Sequence, residues 1–304
     1  MLVYIIFSSL IFVLLPSIAN AWGPGTHIEI ALSLLEKTAL MAPAVRAIVS
    51  GREHWFMYGS ISADIIVGKK FAGDYHHCHN WTTGFKVLKA ARTDREKAAA
   101  YGYLSHLAAD IISHNYYIPF SIIKSYRAHT LSHTYWEMRF DTHVRPQVWD
   151  EMKKMILHDF SPFDKLLKKT LHHALFSFRT SKTIFSGILA LQRFKHFRRT
   201  FAAYAKKSRF GLDSREISHY MRLALASAGG FLADPSRAPC VHFDPIGDEV
   251  IEYAHWMRWK LKRDKRKKHL TAHDIERQLA IIKQKLYRDI EGCSCPIYGA
   301  KTAR

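Results

Sequence analysis

The chain has 304 residues, 48% of them hydrophobic, which is enough to bury the core of one large domain or two small ones. Its 4 cysteines are too few for a disulfide-stapled scaffold of this size. The 45 Lys and Arg residues outnumber 26 Asp and Glu, and the formal net charge of +19 favours anionic partners such as phospholipid surfaces, nucleic acid or phosphorylated substrates.

Residues 1–21 have the pattern of a secretory signal peptide. Leu2–Leu15 is almost wholly apolar, Pro16 breaks the run, and residues 19–21 form a small-x-small cleavage site. No Lys or Arg precedes the apolar run, so an uncleaved anchor is the alternative, although the run is short for spanning a bilayer. We expect cleavage before Trp22, and therefore an exported protein that is periplasmic or secreted.

Beyond residue 21 the sequence predicts helices, with no internal repeat and no convincing period-two strand. Thr26 is the predicted N-cap of the first helix, and Pro119 is predicted to end a helix over Tyr103–Ile118. We expect an all-α protein, with residues 22–258 as one domain and residues 259–304 as a basic helical tail. The other predicted helical stretches are Ala42–Ser50, Phe85–Ala91, Ser125–Val144, Trp149–Lys206, Ser214–Ala228 (ended by Gly229 and Gly230) and Glu249–Ile290.

Three polar residues spaced by four lie on the predicted helix Tyr103–Ile118. His106, Asp110 and His114 fall within an arc of about 80°, because successive residues of an α-helix turn by about 100°. Leucine and isoleucine flank them, which predicts that this face is buried. A carboxylate between two buried imidazoles is explained either by a hydrogen-bonded polar cluster or by a metal ion.

Further candidate metal ligands crowd the first half of the chain. Neutral imidazole and carboxylate suit zinc, and the scarcity of nearby thiolates argues against a structural cysteine site. There are too many ligands for one tetrahedral ion, so we expect two or three Zn²⁺ ions. A free amine at Trp22 would join them once the signal peptide is removed. The further candidates are His27, Asp64, His77, His79, His129, His133 and Glu137.

This ordered series resembles the zinc-dependent phospholipase C superfamily, which includes the zinc single-strand-specific nucleases. Mature members begin with a Trp whose amine and carbonyl oxygen chelate a metal, matched by Trp22, and continue with a His matched by His27. The family's Asp in a Gly-x-x-x-Pro-Asp-like segment is matched by Asp64, with Ala63 in place of the Pro. The resemblance covers Trp22–Asp141.

The remaining family ligands follow in the same order. The matching residues are His79 (or His77), His106, Asp110, His114, His133 and Glu137. The step from Asp110 to His114 is shorter than in the better-known phospholipases, so His129 is the alternative to His114.

The resemblance implies a multi-helix fold with the metal cluster between helices, and a role for each ligand. One zinc would be held by Asp64, His79, His106 and Asp110; a second by Asp110, His27 and the Trp22 backbone; a third by His114, His133 and Glu137. Such paired ions clamp phosphoryl oxygens and lower the pKa of a bound water to about 7. Asp64 would also be catalytic, by orienting or deprotonating that water, and Tyr103, Asn80 and Asp141 are candidates for orienting the imidazoles.

The predicted function is that of an exported zinc-dependent phosphodiester hydrolase, with three hypotheses open. A phospholipase C acting on phospholipids at a membrane surface is favoured by Glu137, since nucleases of the superfamily carry Asp there. A single-strand nuclease or other phosphodiesterase is favoured by the short step from Trp22 to His27. A non-catalytic zinc-binding surface protein is the third hypothesis, and no protein partner is inferred.

Overall fold

The computed structural model describes residues 22–65, 78–128, 133–171, 178–208, 210–267 and 270–293. The predicted signal peptide and the candidate ligands His77 and His129 lie outside these ranges. The described residues are predominantly helical and include no strand, which confirms the all-α prediction. The α-helices are α1 (Pro24–Leu35), α2 (Pro43–Val49), α3 (Glu53–Ser62), α4 (Trp81–Ala90), α5 (Asp94–Ile112), α6 (Ile118–Lys124), α7 (His133–Asp141), α8 (Pro146–Lys154), α9 (Ser161–Thr170), α10 (Phe178–Arg193), α11 (Lys195–Lys206), α12 (Ser214–Ala233), α13 (Asp248–Lys267) and α14 (Ala272–Ile290).

One long helix, α5, lies at the centre of the fold. Apart from Tyr101, every residue from Ala98 to Ile112 is buried, as expected of a helix that other elements surround. Helices α2, α3, α4 and α12 pack against it. A capping box closes its N-terminus: the Thr93 hydroxyl accepts from the Glu96 amide, and the Glu96 carboxylate accepts from the Thr93 amide.

Two glycines let α3 approach α5 closely. A Cβ on Gly59 would overlap the carbonyl oxygen of Ala99, and a Cβ on Gly102 would overlap that of Phe56. Because the obstacle is backbone in both cases, a larger residue would force the two helices apart. This contact brings the end of α3 against the polar side of α5.

The prediction that Pro119 ends the central helix is wrong. Helix α5 ends at Ile112, and Ser113–Tyr117 forms a π-helical turn in which the Ile118 amide donates to the Ser113 carbonyl. Pro119 lies in the first turn of α6, directly after the π-helical turn, and the chain stays helical on both sides of it. Short π-helical turns often occur at functional sites, and this one carries His114.

The prediction that Thr26 caps the first helix is also wrong. Helix α1 begins at Pro24 with Gly23 as its N-cap, and no side chain caps it from that position. Thr26 lies inside the first turn, where its hydroxyl bonds to Asp141 of α7 instead. Proline in the first turn explains the earlier start, since its fixed φ suits a helix N-terminus.

Two further boundaries differ from the sequence-based prediction. Helix α12 continues through Gly229 and Gly230, because its buried side packs on α5, where the Ser227 hydroxyl donates to the Ala108 carbonyl at 2.7 Å. Residues 125–127 form a turn rather than the start of a helix, and α7 is described from His133 onwards.

The C-terminal helices α13 and α14 both pack against the π-helical turn, and α13 packs also on α6. The predicted domain boundary after residue 258 falls within α13, and the division into domains stays a prediction. Among the helices of the described ranges, none has the length and apolarity needed to cross a membrane.

Candidate metal centre

Five polar side chains from separate segments converge on one side of α5. His106 and Asp110 belong to α5, His27 to α1, Asp64 to a 3₁₀ turn after α3, and His79 to the residues before α4. We call this set the Asp110 cluster. The Asp64 side chain is 14% exposed, whereas the other four are at most 1% exposed. Asp64 is therefore the most exposed member of the cluster.

The ligand atoms of the Asp110 cluster face one another at short distances. Asp110 Oδ2 lies 3.0 Å from His106 Nε2 and 3.4 Å from His79 Nε2, and Asp110 Oδ1 lies 3.2 Å from His27 Nε2. His79 Nε2 lies 3.1 Å from Asp64 Oδ1 and 3.0 Å from His106 Nε2. Asp110 is therefore in contact with three imidazoles at once.

A backbone carbonyl fixes the orientation of the His106 ring. His106 Nδ1 lies 2.8 Å from the Ser60 carbonyl oxygen, which can only accept, so Nδ1 carries the hydrogen. In the neutral ring Nε2 then presents a lone pair toward Asp110 and His79. Two electron-rich groups at 3.0 Å need a proton or a cation between them, and the same carbonyl–imidazole pairing is typical of metal-ligating histidines.

The electrostatics of the Asp110 cluster favour an ionised Asp110 and disfavour a charge on His27. Burial raises the pKa of Asp110, but His106, His114 and His27 outweigh it and hold that pKa well below its usual value. Burial, together with His106, lowers the pKa of His27. The carboxylate oxygens of Asp110 face imidazole nitrogens, and a buried, ionised carboxylate is costly unless protons on those rings or a bound cation balance its charge.

A second group, the Glu137 cluster, consists of His114, His133 and Glu137. One ligand atom from each lies within 4.8 Å of the others, and His133 Nε2 is 2.8 Å from Glu137 Oε1. The His114 and His133 rings meet edge to face with centroids 5.3 Å apart. His114 comes from the π-helical turn that follows α5, so the two clusters adjoin along one helix axis.

The loop before α13 orients the His114 ring. Its Nδ1 donates to the Pro245 carbonyl at 2.7 Å, while its buried Nε2 has no hydrogen-bond partner among the described residues. Gly247 has φ +67°, and a Cβ there would collide with His114. His114 and His106 are thus held in the same way, with Nε2 left as the ligand atom.

Asp141 fastens α1 to α7 beside both clusters. Its carboxylate accepts from the Gly25 amide at 3.1 Å, the Thr26 amide at 2.8 Å and the Thr26 hydroxyl at 2.6 Å. Burial raises the pKa of Asp141 to about 7, although those hydrogen bonds act in the opposite direction. A Cβ on Gly23 would overlap this carboxylate. Asp141 lies one turn after Glu137 on α7, and it therefore positions α1, the helix that carries His27.

Trp22 is buried next to the Asp110 cluster. Its side chain is 1% exposed, and its ring centroid lies 5.1 Å from Phe140, 6.2 Å from Tyr117 and 6.4 Å from His27. The residue at the predicted cleavage site thus lies inside the fold.

Tyr103 and Asn80, close to His79, bond to backbone rather than to imidazoles, whereas the Cys78 thiol lies 3.3 Å from His79 Nδ1. The Tyr103 hydroxyl donates to the Cys78 carbonyl, and Asn80 Oδ1 accepts from the Thr83 amide at 2.7 Å as the N-cap of α4. Together they fix the segment that presents His79. The role of these two side chains in orienting the imidazoles stays a prediction.

Residues 26–183, just over half of the chain, match the family described as zinc dependent phospholipase C. The chain belongs to this family. The matched region contains every residue of the Asp110 and Glu137 clusters, whereas Trp22 precedes it and α11 to α14 follow it. Comparison with curated proteins found no match, and comparison with solved structures found none either. Membership in the zinc-dependent phospholipase C family supports a hydrolase function and zinc as its cofactor.

The structure brings the predicted ligands into two groups. Those in the Asp110 cluster are His27, Asp64, His79, His106 and Asp110, and those in the Glu137 cluster are His114, His133 and Glu137. Within the Asp110 cluster, one group of possible ligands is His27, Asp64 and His106, and the other is His79, His106 and Asp110. His106 belongs to both groups. The resemblance instead makes Asp110 the ligand shared by two ions. The assignment of each residue to an ion stays a prediction.

Sequence reasoning missed the backbone groups that orient the histidines. The carbonyls of Ser60 and Pro245 leave no residue-type signal, because any residue can supply them. The contact between Asp141 and α1 had a weak signal, since Asp141 follows Glu137 by four residues and shares its helix face.

Proposed function

We propose that this protein is an exported phospholipase C that hydrolyses the glycerol–phosphate bond of a phospholipid, using two or three zinc ions. The observation that carries the proposal is the buried Asp110 carboxylate, which faces three imidazole nitrogens at 3.0 to 3.4 Å. The Ser60 carbonyl already accepts from His106 Nδ1, so in the neutral ring His106 Nε2 faces Asp110 as a lone pair, an arrangement that suits metal ligation.

The donor sets fit zinc. All eight side chains are imidazoles or carboxylates, the ligands that zinc and similar divalent ions take in hydrolases. The Asp110 cluster would hold two ions, with the Trp22 amine as a further ligand, and the Glu137 cluster would hold one. When bound, the ions stabilise charge on the phosphoryl oxygens and make water a better nucleophile near neutral pH.

The protein's own groups set the geometry of this chemistry. The Ser60 and Pro245 carbonyls accept from Nδ1 of His106 and His114, which leaves Nε2 of each ring as the atom that would bind a metal. Asp64 is the acid of the Asp110 cluster that solvent reaches. We therefore assign to Asp64 the role of orienting the attacking water and accepting its proton.

Export is part of the same proposal. Trp22 is buried beside His27, so removal of residues 1–21 would release its amine next to the Asp110 cluster. We propose a periplasmic or secreted protein on this basis.

A nuclease is the second candidate function. The net charge of +19 suits a polyanionic substrate, and the same two clusters can serve any phosphodiester. Glu137 at the last ligand position supports the phospholipase instead. A non-catalytic zinc-binding protein would keep both clusters without turnover.

The test is an assay of the mature, zinc-loaded protein on phosphatidylcholine and on single-stranded DNA. We expect release of phosphorylated head group from the lipid, abolished by a chelator and restored by zinc. Cleavage of DNA without lipid hydrolysis would assign the nuclease. No hydrolysis of either substrate, with zinc bound, would overturn the enzymatic proposal.

A further inference from the structure

Helix α13, which lies beyond the region matched by the family, carries a row of aromatic rings on one side. Tyr253, Trp256 and Trp259 follow one another at three-residue spacing, and the first two rings lie 6.0 Å apart. Trp256 is 49% exposed and Trp259 is 54% exposed, whereas most tryptophans of a globular protein are largely buried. The helix packs through its other side, where Ala254 and Leu261 are buried.

Each ring of the row has a cation beside it. Lys285 Nζ from α14 lies 5.9 Å from the Tyr253 ring, and Lys260 Nζ lies 5.2 Å from the Trp256 ring. The Arg263 guanidinium lies 4.5 Å from the Trp259 ring. We call these three rings and three cations the aromatic-basic face.

The C-terminal half of α13 is rich in cations. Lys262, Arg266 and Lys267 are exposed there, whereas Glu249 and Glu252 are exposed acids near the start of the helix. Arg263 is also paired with Asp264, and Lys285 with Asp289. An anionic partner would neutralise these charges. The exposed indoles add an apolar contribution that a purely ionic contact would not use.

Two anionic surfaces could meet such a face, and the ring geometry favours a bilayer. Single-stranded nucleic acid binds aromatic rings by stacking bases on open ring faces. Here the protein's own cations lie over the rings. Indoles flanked by Lys and Arg are typical of the lipid–water interface, where the ring enters the head-group region and the cations meet lipid phosphates.

We propose that the aromatic-basic face is a docking surface for an anionic phospholipid bilayer. The choice of lipid over nucleic acid as the occupant rests on the proposed phospholipase function. Docking there would hold the metal centre at the membrane, because α13 begins directly after the Asp244–Gly247 loop whose Pro245 carbonyl orients His114. Arg258 fastens the helix on its inner side by donating to the Ala128 carbonyl.

The experiment is vesicle co-sedimentation of the mature zinc-loaded protein. We would compare neutral phosphatidylcholine vesicles with vesicles that contain about 30% phosphatidylglycerol. We expect binding to the anionic vesicles that weakens with salt. The double variant W256A/W259A, and separately K260E/R263E, should each weaken it by about tenfold or more.

The matched control is F194A/L157A, which removes two other exposed apolar side chains, 64% and 85% exposed, far from α13 in sequence. It should bind vesicles as the wild type does. Circular dichroism and zinc content would show that the variants fold. Hydrolysis of a monomeric short-chain phosphatidylcholine should be unchanged in W256A/W259A, since that substrate needs no docking.

The outcomes separate the docking surface from the enzyme. Vesicle binding by W256A/W259A and K260E/R263E within about twofold of wild type would overturn the docking proposal, even if lipid is hydrolysed. Loss of binding to single-stranded DNA rather than to vesicles would assign the face to nucleic acid. Normal, face-dependent vesicle binding without any hydrolysis would refute the proposed enzyme and leave the docking surface standing.

Discussion

In both the Asp110 cluster and the aromatic-basic face, side chains of one kind recur at helical spacing, but those of the cluster are buried and the indoles of the face are exposed. On α5, polar side chains recur every four residues and are buried, so they must be satisfied by one another or by ions. On α13, aromatic side chains recur every three residues, and the two indoles are exposed and open to a partner. In both regions, the mismatch between side chain and surroundings suggested the proposal more clearly than the spacing did.

The largest expected effect comes from removing the charge at the centre of the buried cluster. Asp110→Asn keeps the shape of the side chain but loses its negative charge, and Asn presents a donor to the imidazoles. We expect hydrolysis to fall by more than about 100-fold, with zinc lost from the Asp110 cluster. Rate measurements with the lipid substrate check this.

The matched control is Asp164→Asn, which changes another buried acid, paired with Tyr58 and Lys182 instead of imidazoles. It should keep its zinc and most of its activity. Equal losses in both variants would show that Asp110 matters only for folding.

The next effect tests the close packing that places Ser60 and Asp64. Gly102→Ala would push α3 away from α5, because its Cβ overlaps the Phe56 carbonyl. We expect the free energy of unfolding to fall by about 1–3 kcal/mol, with a loss of activity as well. Denaturant unfolding measures it.

Gly187→Ala supplies the comparison for this glycine. Gly187 lies in α10, and its Cβ would meet no described atom within 4 Å. In Gly187→Ala we expect the free energy of unfolding to rise by about 0.5–1 kcal/mol, because alanine restricts the unfolded chain. A loss at Gly187 as large as that at Gly102 would contradict the packing argument.

A pH-dependent effect is expected at Asp141 in the metal-free protein. Its pKa is about 7 when folded and 3.8 ordinarily, so the folded state binds the proton more tightly. The associated stability is present at acidic pH and is lost as pH rises through about 7. Relative to Asp141→Asn, the wild type should lose a few kcal/mol of unfolding free energy between about pH 4 and 7.

Unfolding curves of both proteins at several pH values, with a chelator present, check this prediction. A pH-independent difference between them would show that Asp141 stays ionised throughout.

The smallest effect is expected at the cap of α4, next to His79. Asn80→Ala removes the acceptor of the Thr83 amide and should cost about 1 kcal/mol. Thr82→Ala, at an exposed position of the same turn, should change the melting temperature little. If both variants melt alike, the cap does not stabilise the segment that presents His79.

The sequence predicted the helical fold better than it predicted the boundaries of the helices. His106 and Asp110 share a face because their spacing matches the helix period, whatever surrounds them. The π-helical turn at Ser113–Tyr117 and the continuation of α12 through Gly229 depend on packing against other helices. Such tertiary contacts override local propensity and leave no local pattern.

The orientation of the imidazoles could not be read from residue types either. The ring orientations of His106 and His114 depend on hydrogen bonds to carbonyls of distant segments. The position of His79 depends on a backbone segment that Tyr103 and Asn80 hold by hydrogen bonds. Only the folded chain brings those groups together.

The most direct test is the zinc content of the mature protein that begins at Trp22, measured by elemental analysis after dialysis. The account predicts two or three zinc ions per chain, and a lower content in Asp110→Asn. A folded wild-type protein that retains no zinc, even after incubation with an excess of the ion, would contradict it.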